Sequence, residues 1–212
     1  MPSPSRFIIR LLFSAVLTLV STGISYAQEP DDGPAAFNMT AEQNINNPIV
    51  PQKVSNSVIR HMDGLAKTFA KHEFEVKKIR RGEVLKVIIP TDVLFAPNDT
   101  KLLPSAVKLL NAFEALVTRP ELYKLVIMAH TDNTGDEVYS DNLSEVRANA
   151  VDEYFEDLIK GKSANIIPYG MGFDEPVVNN NSISNRQRNR RIEIYIIPES
   201  QIIDMAKKGK LT

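Results

Sequence analysis

No cysteine occurs in the 212 residues, which excludes disulfides, thiolate metal sites, a thiol nucleophile and a lipid-modified N-terminal cysteine. Histidine is scarce as well. Only His61, His72 and His130 are present, and no HxxxH or similar pairing joins them. His130, Asp132 and nearby Asp136 are therefore a weak start for a divalent-metal site. The chain has no GxSxG elbow, no P-loop and no dinucleotide glycine fingerprint, so nothing in it indicates an enzyme or calls for a cofactor. No internal repeat is visible. Net charge is also missing: the formal value is −1. Removing the two arginines of residues 1–27 from the 25 basic residues leaves 23 against 26 acidic ones, which offers no global attraction to nucleic acid.

The first segment that is present reads as an export leader. Arg6 and Arg10 precede an apolar stretch from Leu11 to Val20, and Ser25-Tyr26-Ala27 supplies small residues at the −3 and −1 positions of a cleavage site before Gln28. The alternative is a retained membrane anchor. The segment after Arg10 is about 17 residues long and carries Ser14, Thr18, Ser21, Thr22 and Gly23, which is short and polar for a span of roughly 20. Residues 1–27 are thus expected to be a signal peptide, and the protein to be periplasmic, in association with the outer membrane or the wider envelope. Without disulfides it must rely on its core, which a 43% hydrophobic composition makes feasible.

Residues 28–52 are rich in Pro, Asn and Asp without apolar periodicity, and read as a disordered linker. Over 53–72, Val54, Val58, Met62, Leu65 and Phe69 recur at helical spacing, and that stripe needs a surface to pack on. Either this chain or a partner in the envelope supplies it. From residue 73 strands and helices alternate. Phe74 to Ile79 and Val84 to Ile89 flank a hairpin-like turn; Pro104 to Val117 is a helix; Leu122 to His130 is a strand of the kind buried on both faces. A long helix runs from about Asp136 to Leu158, then Ile166 to Met171 forms a strand. Ile192 to Ile196 alternates cleanly, with one face on the core, and 199–212 is a tail or short polar helix. This order indicates an α/β (α+β) sandwich with helices on one face of a mixed sheet.

One charge in the long helix is misplaced. At 100° per residue, Leu143, Ala150, Val151, Tyr154 and Leu158 share an arc and Arg147 falls in its middle, opposite Glu145, Asn149, Asp152, Glu153 and Glu156. A guanidinium keeps its proton, so an inward arginine finds an anion or reaches back to water. Three arrangements satisfy that demand. Arg147 snorkels along its stem, pairs with Asp132 at the exit of the buried strand, or joins Asp132 in a concavity for a ligand bearing an ammonium and a carboxylate. The run Asn185 to Arg191 is a second cluster, either a solvated basic edge or a source of guanidiniums for a carboxylate.

Taken in order, Val93-Leu94-Phe95, His130-Thr131-Asp132-Asn133-Thr134-Gly135, Leu143-Ser144-Glu145-Val146-Arg147-Ala148, Gly170 to Val177 and Asn189-Arg190-Arg191-Ile192-Glu193-Ile194 resemble the OmpA-like peptidoglycan-binding domain family. The resemblance covers about residues 73–198. It implies a β-α-β-α-β core that holds the diaminopimelate residue of the peptidoglycan stem peptide without catalysis. By the same resemblance Asp132 takes the ammonium and Arg147 the carboxylate, with Arg190 and Asn98 as further ligand residues. Ser140 stands where the family often has asparagine, which shortens or removes one ligand hydrogen bond. Asn185 stands where a glycine is common, and a left-handed conformation is expected of it. Residues 28–72 are far too few for a barrel of eight strands of roughly 10 residues each. The competing class is a periplasmic adaptor with the same fold, recruiting its partner through the Val54–Phe69 helix.

Overall fold

The antiparallel pair that follows residue 73 sets the edge of the sheet. A computed structural model describes residues 39–72, 74–160 and 165–211, all within the unit Pro34–Thr212. The leader reading of 1–27 and the first part of the linker reading, 28–38, lie outside the described residues. Strands β1 (Glu75–Ile79) and β2 (Val84–Pro90) pair antiparallel, followed by β3 (Tyr123–His130), β4 (Ile166–Gly170) and β5 (Arg191–Pro198). The sheet order is β1-β2-β5-β3-β4, with only β3 and β4 parallel. Placing the last strand between β2 and β3 brings the ends of β2 and β3 and the start of β5 to one edge. The site stands there.

One face of the sheet is the main core. Leu85, Val87, Ile89, Leu125, Ile127, Ala129, Ile192, Ile194 and Ile196 point into it, as alternation along the strands requires. Four helical segments cover that face: α2 (Gln52–Ala70), the pair α3 (Ala106–Leu110) and α4 (Glu114–Val117), α5 (Glu137–Leu158) and α7 (Ser200–Lys207). The expected Pro104–Val117 helix is thus two short ones joined by a 3-10 turn at Asn111–Phe113, which keeps Leu110, Phe113, Leu116 and Val117 all buried. Phe113 is the hub, its ring 4.7 Å from that of Phe69 and 5.6 Å from that of Phe155. Helix α5 buries Ser140, Ser144, Ala148 and Val151, mostly small residues that let it lie close to β4. At Gly170 a Cβ would stand 2.5 Å from the Glu145 backbone nitrogen, so only glycine permits that approach.

Two alternatives left open by the sequence are decided here. The Val54–Phe69 stripe is core, since Val54, Val58, Met62 and Phe69 are all buried, and it is spent inside the domain rather than left for a partner. The tail is not frayed: Ile202, Ile203 and Ala206 of α7 are buried and the helix packs on α2.

The second face corrects the linker. Residues 39–51 lie across it as a strap that contains α1 (Ala41–Asn46), started by a capping box between Thr40 and Gln43. Ala41 and Ile45 pack with Val84, Val126, Met128, Tyr195 and Ile197. Main-chain carbonyls of the strap then receive donors from far along the chain. Arg80 donates to the Ile45 and Pro48 carbonyls, both at 2.8 Å, and Lys124 to that of Asn47 at 2.6 Å. The Tyr169 hydroxyl donates to the Met39 carbonyl at 2.7 Å and accepts from Asn44. Both faces of β5 are therefore buried, not one. Helices cover one face, and the strap with its short helix covers part of the other.

Beside the strap this face carries buried charge. Glu193 accepts from Lys86 at 2.9 Å, Arg191 at 2.7 Å and the Tyr195 hydroxyl at 2.6 Å. Burial alone would raise its pKa, but these three partners hold it at about 2. His130 lies 3.9 Å from Glu193, and neither ring nitrogen has a hydrogen-bond partner among the described residues. Burial first, then Arg191 and Lys86, push its pKa down to about 4 in spite of Glu193.

A chain starting at residue 52 should melt well below one starting at residue 39. Uncovering the second face and losing the burial of Ala41 and Val50 amounts to about 3 kcal/mol, readable by calorimetry; equal melting temperatures refute the strap. Acid should act in two stages. The His130 pKa is depressed, so below 6.5 the unfolded chain binds the extra proton and stability falls from there to about 4. The Glu193 pKa is also depressed, so its contribution is present above 4.5 and is lost on the way down to about 2. His130→Phe should abolish the upper stage and keep the lower one in melting curves taken across pH.

Candidate functional site

The strand ends determine what meets what. Pro90, Arg191 and His130 sit side by side in register, so the next residues out, Thr91, Arg190 and Thr131, form the row beyond the sheet edge. The Thr91 N–H donates to the Arg190 carbonyl at 3.1 Å and closes that row. Alternation along β5 then separates the two arginines. Arg191 turns to Glu193 on the second face, and Arg190 turns to the opposite side.

A cleft of about 260 Å³ opens there, and Asp132, Arg147, Arg190, Asn98 and Ser140 all line it. The five residues named from sequence thus come together in one place. Asp132 is 5% exposed. One carboxylate oxygen accepts the Thr134 N–H at 2.9 Å and the Thr134 hydroxyl, while the other is paired with Arg190. Burial raises the carboxyl's pKa, yet the Thr134 and Arg190 hydrogen bonds outweigh it and hold the group below the usual carboxylate range. Asp132 is an anion in this site.

Arg147 is 5% exposed and does not snorkel. It does not pair with Asp132 either. Its Nε donates to the Asp99 carbonyl at 2.9 Å and one terminal nitrogen to that of Ala96 at 3.4 Å, with the guanidinium 5.2 Å over the Phe95 ring. No carboxylate lies within 4 Å of it among the described residues. The loop that supplies these carbonyls is shaped by its own sequence. Asp99 caps the Thr100 and Lys101 N–H groups, and Asn98 is left-handed with φ 56°, which asparagine tolerates.

The basic run is helical as far as Asn189, in α6 (Ile183–Asn189), with Arg190 as its cap and Arg191 as the first residue of β5. Asn185 is helical and its N–H donates to the cap hydroxyl of Ser182, so the left-handed conformation expected of it is not found. Asn189 is fully buried, and its side-chain amide binds the Val177 and Val178 backbone, which fixes the point from which Arg190 departs. Ser140 is 1% exposed on the first turns of α5. His130 faces Glu193 and is not part of the cleft wall.

Sequence reasoning missed Thr91, Tyr139 and the role of Thr134, all of which line the cleft. Tyr139 had a signal, as the residue just before Ser140 on a helix whose next turns face inward. Thr91 had none, since only the pairing of β2 with β5 brings it there.

A cleft at the open end of a mixed sheet, walled by two carboxylates, Asp92 and Asp132, and two guanidiniums, Arg147 and Arg190, suits a small charged group. The family model of the OmpA family matches residues 94–190. The outer-membrane lipoprotein YfiB of Pseudomonas aeruginosa is 35% identical over 119 residues, 56% of this chain and 70% of that protein. Outer membrane protein A of Bordetella avium is 33% identical over 113 residues, 53% of this chain and 57% of that protein. The chain belongs to the OmpA family. Among solved structures, a MotB-like protein from Desulfovibrio vulgaris superposes with a TM-score of 0.61 at 23% identity, over 70% of this chain and 96% of that one, which establishes the fold. The cell wall anchor of the T6SS from Pseudomonas aeruginosa gives 0.54 at 25% identity, over 64% of this chain and 94% of that one. The envelope address read from the leader agrees with relatives described as outer-membrane proteins.

Proposed function

We propose that this protein is a non-catalytic binder of cell-wall peptidoglycan, and that it grips the diaminopimelate residue of the stem peptide, Asp132 taking the ammonium and Arg147 the carboxylate. Family membership supports wall binding in general. One observation carries the finer reading. Arg147 is a buried guanidinium in an open cleft, held by main-chain carbonyls and the face of Phe95, with donors to spare and no carboxylate within 4 Å among the described residues. A buried cation of this kind is unfavourable until an anion arrives, and its planar fork fits a carboxylate with two parallel bonds. Asp132, ionised in the same cleft, supplies the opposite charge for the ligand's ammonium. Arg190 and Asn98 stand at the mouth, and Ser140 adds a hydroxyl to the wall.

The proposed layout is an export leader at 1–27, a linker over 28–38 and a wall-binding domain from 39 to the end of α7.

Co-sedimentation with purified sacculi, with and without free diaminopimelate, tests this reading. Asp132→Ala and Arg147→Ala should each cost about 2–5 kcal/mol, roughly 30-fold or more in affinity, because each strands a desolvated partner. Arg147→Lys should fail comparably, since an ammonium lacks the fork. Folded Asp132→Ala protein that sediments like the wild type would sink the assignment.

A further inference from the structure

The outer face of α2 takes no part in the cleft. Lys53, Arg60 and Lys67 recur along it at intervals of seven residues, and Lys71, its C-cap, follows four later. At 100° per residue these cations fall within about 40° of one another, opposite the buried Val54–Phe69 stripe, and form a row roughly 27 Å long. All of them are exposed, and none is in an ion pair among the described residues. Ser57 and Gly64 stand between them on the same line. A Cβ at Gly64 would meet nothing within 4 Å, so no packing contact accounts for a residue that weakens the helix. Its lack of a side chain keeps the middle of the row flat.

Neighbouring elements extend the charge. Helix α7 packs on α2 and brings Lys208 and Lys210 at its end. The carboxylates nearby are already engaged: Asp63 with Lys78 at 2.6 Å, Glu75 with Lys77 at 3.1 Å and Asp204 with Lys207 at 2.9 Å. The other edge of the helical layer is the reverse. Helix α2 lies against β1 and β2, whereas α5 lies against β3 and β4. Between Asp136 and Leu158 the sequence has four aspartates and four glutamates, and no cation but Arg147. None of those carboxylates is in an ion pair among the described residues. The two edges thus carry opposite charge although the formal net charge is −1.

We propose that the α2 row is a docking surface for an anionic phospholipid bilayer, with the acidic α5 edge turned away from it. Single charges on flexible stems, with no aromatic ring or paired guanidinium among them, suit a diffuse sheet of headgroups rather than a ligand of fixed shape. The apolar face of α2 is spent in the core, so the contact is superficial and electrostatic, without insertion. A molecule charged oppositely along two edges is oriented by a negative surface before it touches it. The row is separate from the cleft, so this contact does not depend on what the cleft holds.

The test uses the exported protein, residues 28–212, because the apolar run of the leader would enter any bilayer. In co-flotation it should bind vesicles of equal parts phosphatidylglycerol and phosphatidylcholine, bind phosphatidylcholine alone far less, and lose the difference as salt rises. Each cation counts for about fivefold in affinity. The combined variant Lys53→Gln, Arg60→Gln, Lys67→Gln and Lys71→Gln should therefore bind the anionic vesicles roughly a hundredfold or more weakly, with its melting temperature and its sedimentation with sacculi unchanged. Gly64→Glu, which puts a carboxylate into the row on a better helix former, should weaken vesicle binding about fivefold without melting lower. Lys53→Arg with Arg60→Lys and Lys67→Arg keeps every charge and should bind as the wild type does. Equal binding to the two vesicle types, a glutamine variant that binds like the wild type, or a charge-keeping variant that loses binding overturns the proposal. Salt-sensitive self-association in place of vesicle binding would give the row to the acidic edge of a second copy, and loss of sacculus binding in the glutamine variant would give it to the wall; either result overturns the bilayer as its partner.

Discussion

The structure around the cleft depends on a guanidinium with no carboxylate within 4 Å among the described residues. Arg147 sits in the apolar arc of α5, where a leucine would serve packing better, and is kept there by the Asp99 and Ala96 carbonyls and the face of Phe95. Its neighbours are arranged so that this holds. Asp132, the carboxylate that shares the cleft with it, is occupied by Thr134 and Arg190. Asn189 is buried to hold Arg190 in place, and Asp99 folds its own loop so that its carbonyl, not its carboxylate, meets Arg147. The charges are kept apart because Asp132 and Arg147 each have partners other than one another. An open, doubly charged cleft results.

That arrangement demands rigid backbone behind it. The Gly172 N–H donates to the Ser144 hydroxyl at 2.9 Å, and its carbonyl accepts from Thr131 at 2.7 Å, so the exits of β3 and β4 and the middle of α5 are tied at one point. Small residues on α5 bring the helix close enough for this tie, and the aromatic cluster on Phe113 fills the space farther from the site. Placement of opposite charges at a fixed separation is a physical basis for selective binding without catalytic machinery.

The second face solves a different problem, that of charges and apolar surface left on the side away from the main core. Lys124 and Arg80 would be poorly placed under an apolar cover, although Arg80 also has the Glu83 carboxylate at 3.7 Å. The strap offers main-chain carbonyls instead, which accept from cations while its Ala41 and Ile45 cover the apolar part. Glu193 serves the remaining cations. One strap and one buried carboxylate therefore allow β5 to be buried on both sides although its sequence alternates.

Much of this was legible in the residues themselves. The five strands, the long helix and the inward position of Arg147 follow from periodicity, because side-chain direction is fixed by backbone geometry within one element. The ordered motifs also pointed to Asp132, Asn98, Ser140 and Arg190. The structure then decided what local pattern does not contain. That Arg147 takes carbonyls and not Asp132, that Thr91 reaches the cleft, and that 39–51 is a strap all depend on pairing between distant segments. Composition made the strap look unstructured because its partners, Arg80, Lys124 and Tyr169, lie 32 to 130 residues away in the chain. Periodicity is a property of one element and is written along it, whereas a hydrogen bond between elements exists only once the sheet order has brought them together.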